Sequence, residues 1–243
     1  IALAEVSAGR LVRLDAGLDR VEAIQSVLDT DREGTVLVGL DFAFSVPLWY
    51  LQEQGYSSAA SLWEALASEG ERGAESLLHR CDPPFWGKYG TRRPHAAALD
   101  CRRTTREHGA KPVFQIGGAG SVGTGSLRGM PYLRLLKESG WAIWPFDDPG
   151  ERTVVEIYPR RLYRHAGIAS VCKSDDASRQ QALGEIRGLN IPPKARQTAI
   201  GSEHAFDALT AAIGLWKCVG GKRFDFPAAD AEARLEGMIF QPE

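Results

Sequence analysis

Residues 35–40, Thr35-Val36-Leu37-Val38-Gly39-Leu40, form a near-continuous apolar run of strand length that ends in Asp41. A strand without polar alternation suits a sheet centre covered on both faces, which requires helices packed over a sheet. The flanking sequence supplies those layers. Residues 1–6 and 11–14 enclose Ser7-Ala8-Gly9-Arg10 and predict a β-hairpin. Leu18, Val21, Ile24, Val27 and Leu28 recur at helical spacing with Asp19 as a cap. A helical pattern returns over 57–79, and strands are expected over 141–146 and 153–158, around the turn Asp147-Asp148-Pro149-Gly150. A polar helical region spans 174–188. A last helix over 202–219 has Ser202 as its cap, and its Ala205, Ala208, Ala211 and Ala212 allow close approach to a sheet. This order of elements is that of a single mixed α/β domain over residues 1–243.

Between these elements the periodicity fails. Residues 81–111 are rich in Pro, Arg and aromatic residues, and such a long irregular stretch reads as a functional insertion, here about 48–112. Residues 113–116 form a possible short strand, followed by a glycine-rich loop over 117–129. Pro131 suits the first turn of a helix over 131–139 that ends at Gly140. Gly118-Ala119-Gly120-Ser121-Val122-Gly123 matches G-x-G-x-x-G in form. A dinucleotide site needs a helix opening inside that motif, and a helix starting at Pro131 is too late. A flexible active-site loop or an anion nest of backbone N–H groups fits better.

Composition narrows the class. A net charge of −2 gives no global field to attract nucleic acid or an anionic membrane, so any basic surface must be local. Cys81, Cys101, Cys172 and Cys218 are scattered without a C-x-x-C pair, which argues against zinc or a disulfide framework and for a reducing, cytoplasmic setting. No apolar stretch approaches the ~20 residues of a membrane span, and there is no signal segment. The chain opens at Ile1 without Met, so the biological chain is expected to begin earlier.

Acids occur where an α/β sheet gathers ligands. Asp41 follows an apolar strand, at the carboxyl end where ligands collect. Glu156 lies inside Val154-Val155-Glu156-Ile157-Tyr158, and an acid within an apolar strand needs a partner or a metal. Glu203 and Asp207 are four apart on one helix face, with His204 beside them. Structural roles stand beside these: a turn cap for Asp41, an edge position or a pair with Arg160 or Arg161 for Glu156, and macrodipole complements for Glu203 and Asp207.

The segments VGLDFAFSVP, VVEIYPR, EHAFDALTAA and GTGSLRGMP together resemble the domain-of-unknown-function family four-two-nine, predicted nucleases with a ribonuclease H-like fold. The resemblance implies a five-stranded mixed sheet whose first three strands are antiparallel, flanked by helices, with the insertion after the fourth strand. It implies divalent metal, Mg²⁺ or Mn²⁺, bound by acids. Asp41 takes the fourth-strand position, Asp207 the helical one with Glu203 completing the shell, and Glu156 falls in the EIYP motif. His204 would serve proton transfer. IALAEV fits the second strand, so the first strand and its acid are expected upstream of Ile1.

Substrate contacts are expected from charge. Residues 80–111 carry eight basic residues, including Arg92, Arg93, Arg102 and Arg103, against Asp82, Asp100 and Glu107. Phe85, Trp86 and Tyr89 interleave with them, a pattern of phosphate-tracking cations beside base-stacking rings. Arg160 and Arg161 begin a second cluster directly after Glu156. The expected activity is a metal-dependent nuclease or phosphodiesterase acting on nucleic acid or another phosphoester. The alternatives are a catalytically silent nucleic-acid or nucleotide binder of the same fold, and a sugar kinase-like relative binding nucleoside triphosphate on the glycine loop.

Overall fold

The structure, a computed structural model, describes residues 1–31, 34–94, 96–106, 109–219 and 225–242. Along the chain come β1 (Ala2–Ser7), β2 (Arg10–Ala16), α1 (Arg20–Leu28) and β3 (Val36–Leu40). Then follow α2 (Leu48–Glu53), α3 (Ala59–Ala67), α4 (Ala74–Arg80), α5 (Ala97–Asp100), α6 (Arg103–Arg106) and α7 (Gly123–Glu138). After β4 (Ala142–Trp144) and β5 (Arg152–Glu156) come α8 (Pro159–Ala166), α9 (Asp176–Glu185), α10 (Pro193–Gly201), α11 (Glu203–Val219) and α12 (Ala233–Glu236). The architecture is mixed α/β, with one antiparallel strand pair and one parallel three-stranded sheet among the described residues. Glu107, one of the acids counted in the basic stretch, lies outside them. Among the described residues no helix is long and apolar enough to cross a membrane.

The chain divides into two compact units. The hairpin unit comprises Ile1–Asp31, Ile157–Pro227 and Gln241–Glu243. In it β1 and β2 pair antiparallel from Ala2↔Ala16 to Ser7↔Arg10, the hairpin expected from the turn at residues 7–10. Asp19 caps α1: its carboxylate accepts from the Glu22 N–H at 2.8 Å, and the Glu22 side chain accepts from the Asp19 N–H at 2.8 Å. The core joins Phe206, Leu209 and Ile213 of α11 to Tyr163 and Ala166 of α8, with Val6, Leu11 and Leu14 of the hairpin packed against them. A Cβ added at Gly214 would lie 2.7 Å from the Leu162 carbonyl oxygen, so α8 and α11 meet at backbone distance. Gly214→Ala is therefore expected to cost about 1–3 kcal/mol by overpacking, read from chemical denaturation. A midpoint equal to wild type would refute that packing.

The parallel-sheet unit comprises Arg32–Glu156 and Ala228–Phe240. Its strand order is β3-β5-β4, all parallel, with Val36↔Arg152 and Leu40↔Glu156 at the ends of one ladder. The apolar run over 36–40 is thus not the centre of this sheet. β5 is, with Val154 and Val155 wholly buried, whereas β3 is half-buried throughout. The helical pattern over 57–79 splits into α3 and α4, Ser58 capping α3 through the Ser61 N–H at 3.2 Å. Tyr50, Phe85 and Phe114 pack edge to face, with centroids 5.2 Å apart for Tyr50–Phe114 and 5.4 Å for Phe85–Phe114.

Two expectations fail here for a shared reason. Residues 113–116 form no strand; Gln115 makes only an isolated bridge to Trp86. The next helix opens at Gly123, eight residues before Pro131, which falls inside it. Glycine marks close approach here: a Cβ at Gly123 would sit 2.2 Å from the Val113 carbonyl oxygen. The segment 113–116 lies under the start of α7, where sequence periodicity shows only a loop.

Candidate functional site

The candidate acids fall in both units. In the parallel-sheet unit, Glu156 ends β5 and is 3% exposed. Its carboxylate takes the Arg102 guanidinium on both oxygens, Nη1 donating to Oε2 at 2.7 Å and Nη2 to Oε1. The Phe44 N–H donates to Oε2 at 3.0 Å, and Arg102 Nη1 also donates to the Glu236 carbonyl at 3.0 Å. Glu156 therefore sits on the central strand, not an edge, and its carboxylate pairs with Arg102 rather than Arg160 or Arg161. Such a bidentate, hydrogen-bonded pair explains how an acid is tolerated in an apolar strand. Asp41 is exposed at the carboxyl end of β3, one residue beyond Leu40, the register partner of Glu156.

Four of the eight basic residues over 80–111, Arg80, Arg93, Arg102 and Arg103, meet acids among the described residues. Arg93 pairs with the wholly buried Asp100. Arg103 donates through Nε to Glu232 at 2.6 Å and through Nη2 to Asp230 at 2.7 Å. The Ala233 N–H, then Arg103, holds the Asp230 carboxyl below its ordinary range. Arg92 is exposed, and Trp86 is half-buried with its backbone bonded to Phe114 and Ile116. The charge excess read along 80–111 is offset by Glu156, Asp230 and Glu232, which are remote in sequence.

The glycine loop is folded on itself. Gln115 Nε2 donates to the Gly117 carbonyl at 3.3 Å and the Ala119 carbonyl at 3.2 Å, and Thr124 Oγ1 donates to the Ile116 carbonyl at 2.8 Å. A helix does open at the last glycine of the motif, contrary to the expectation, but no strand precedes it.

In the hairpin unit, Asp207 lies in the second turn of α11 and is 8% exposed. One carboxylate oxygen accepts from the Tyr163 hydroxyl of α8, and the other from Lys173 Nζ at 2.6 Å. Lys173 precedes α9, and Arg179 of that helix donates to its carbonyl. Arg179 is buried and also donates through Nε to the Ile200 carbonyl at 2.7 Å, fixing the end of α10. Glu203 and His204 are exposed on the first turn of α11, and Arg160 and Arg161 on the first turn of α8.

Sequence reasoning missed Tyr163, Lys173, Arg179 and Glu236. Tyr163 stands four residues after Pro159, where helical spacing could have turned it inward; Lys173 carries no local signal. As donors for a divalent ion, Asp207 and Glu203 offer hard carboxylate oxygens, and a cation already rests on Asp207. Among the described residues no three His, Cys, Asp or Glu side chains converge on one point. Mg²⁺ is commonly held by one or two carboxylates, water and substrate phosphate oxygens, so Asp207 with Glu203 fits a partial protein shell. Comparison with family models, curated proteins and solved structures finds no match to this chain.

Proposed function

We propose that this chain is a divalent-metal-dependent phosphodiesterase, of ribonuclease H-like architecture, whose substrate is nucleic acid. The observation that carries the proposal is Asp207, a buried carboxylate whose second partner is the half-exposed ammonium of Lys173. Order of motifs along the chain, with VGLDFAFSVP, VVEIYPR and EHAFDALTAA, supports the same choice. Asp207 and Glu203 would hold Mg²⁺ or Mn²⁺, which when bound activates water and stabilises the leaving oxygen of a phosphodiester. Tyr163 orients the Asp207 carboxylate by its hydrogen bond, and packing of α8 on α11 keeps it there. Arg160 and Arg161, exposed on α8, would attract phosphates, and His204 is accessible on the α11 turn to move a proton.

One observation favours the silent binder instead: Lys173 already neutralises Asp207. The two differ in hydrolysis. With millimolar Mn²⁺, wild type is expected to cleave a labelled single-stranded oligonucleotide, and Asp207→Asn to lose on the order of 10²-fold or more of that rate. Asp41→Asn tests the other acid separately. An oligonucleotide bound but never cut would establish the binder, and full activity in Asp207→Asn would remove Asp207 from the site.

A further inference from the structure

We infer that the exposed face of α8 is a binding face for single-stranded nucleic acid, with Arg160 and Arg164 meeting its phosphates and Tyr158 stacking on a base. This rests on the proposed nucleic-acid substrate and adds which surface holds it and in which form. The helix Pro159-Arg160-Arg161-Leu162-Tyr163-Arg164-His165-Ala166 carries no acid. Pro159, Leu162, Tyr163 and Ala166 are buried, so Arg160, Arg161 and Arg164 share the side turned to solvent. Arg160 and Arg164 stand one turn apart, about 6 Å along the axis. Neither makes an ion pair among the described residues, whereas Arg103, Arg128 and Arg234 each meet a carboxylate.

Helix stability does not account for this arrangement. Like charges four apart on a helix repel, and cations in a first turn oppose the helix dipole. Arg160 and Arg161 fill the second and third positions of α8, where an acid is favoured. The far end of the helix already has a cation, because Lys217 Nζ donates to the Ala166 carbonyl at 2.9 Å. A polyanion laid along the face relieves the repulsion and supplies the missing negative charge. Tyr158 directly precedes the helix, is half-buried, and its hydroxyl makes no hydrogen bond among the described residues. A ring beside cations is a stacking platform for unpaired bases, which a duplex keeps within its own stack. An anionic membrane fits less well. The apolar side of α8 is packed at backbone distance against α11 and leaves nothing to enter a bilayer.

Fluorescence anisotropy of a labelled oligothymidylate with the whole chain, in chelator to prevent cleavage, tests this. Replacing both Arg160→Gln and Arg164→Gln is expected to weaken binding about tenfold. It should also flatten the log–log salt slope by roughly 1.4, about 0.7 for each phosphate contact on a single strand. Lys194→Gln with Arg196→Gln removes the same charge from α10 and should leave binding nearly unchanged. Tyr158→Ala should weaken the single strand about tenfold, with its salt slope intact, and leave a duplex of equal length unaffected. Arg160→Gln should melt no lower than wild type, since it relieves repulsion; a lower melting temperature would assign Arg160 to the fold and overturn its role. Wild-type affinity and slope in the double arginine variant would overturn the binding face and leave the nucleic-acid reading standing. Equal affinity of wild type for strand and duplex, with Tyr158→Ala silent, would overturn the single-strand assignment. Binding to phosphatidylserine vesicles and to no oligonucleotide, in chelator or in Mn²⁺, would defeat the nucleic-acid reading and this face with it.

Discussion

Arg102→Ala is expected to lower the stability of the parallel-sheet unit by about 3–5 kcal/mol, measured by urea unfolding. The Glu156 carboxylate is 4% exposed and meets Arg102 through two hydrogen bonds. Without the guanidinium it keeps, among the described residues, the Phe44 N–H alone, and a buried charge lacking its counter-ion is costly. The Glu236 carbonyl would lose its Arg102 donor as well. Pairing the change with Glu156→Leu should recover much of the loss, because an apolar pair removes both charges from the interior. A loss below about 1 kcal/mol in the single variant would place the pair in the class of exposed ion pairs and contradict its burial.

Glu236→Ala should have the next largest effect, about 1–3 kcal/mol, since two part-buried backbone donors at helix starts lose their acceptor at once. Its Oε1 accepts from the Leu48 N–H at 2.7 Å and its Oε2 from the Arg103 N–H at 2.7 Å. These are the first N–H groups of α2 and α6, so one carboxylate caps two helix starts. The residues around it form a strap. Ser45 Oγ donates to the Leu235 carbonyl at 2.9 Å, Thr104 Oγ1 to the Gly237 carbonyl at 2.6 Å, and the Phe240 N–H to the Glu156 carbonyl at 2.7 Å. Glu236→Gln keeps one acceptor oxygen and should fall midway between wild type and Glu236→Ala. Equal losses for Gln and Ala would show that capping is not what Glu236 contributes.

Local signals in the sequence located the elements they govern. The Asp19 and Glu22 capping box, the hairpin turn at Ala8-Gly9, and the Ser202 cap of α11 each act within a few residues, and each is read directly. Long-range choices were opaque. An apolar run over 36–40 points to β3 as the sheet centre, yet β5, which carries Arg152, Thr153 and Glu156, takes it, because its position is set by pairing with both β3 and β4 rather than by its own apolarity. The start of α7 was hidden because Gly123 is required by contact with Val113, ten residues away. Glu156 was recognised as an acid needing a partner, but Arg102 lies 54 residues from it, beyond any spacing rule. Arg102 and Arg103 misled for the same reason, their acids Glu156, Asp230 and Glu232 lying 54 to 129 residues away. Asp207 was found from its place on an Ala-rich helix; its partner Lys173, in a loop 34 residues earlier, was not.

The most direct measurement is anomalous scattering from a crystal soaked in Mn²⁺. The metal reading predicts an anomalous peak beside the Asp207 carboxylate. No peak beside Asp207 at saturating Mn²⁺ would contradict it.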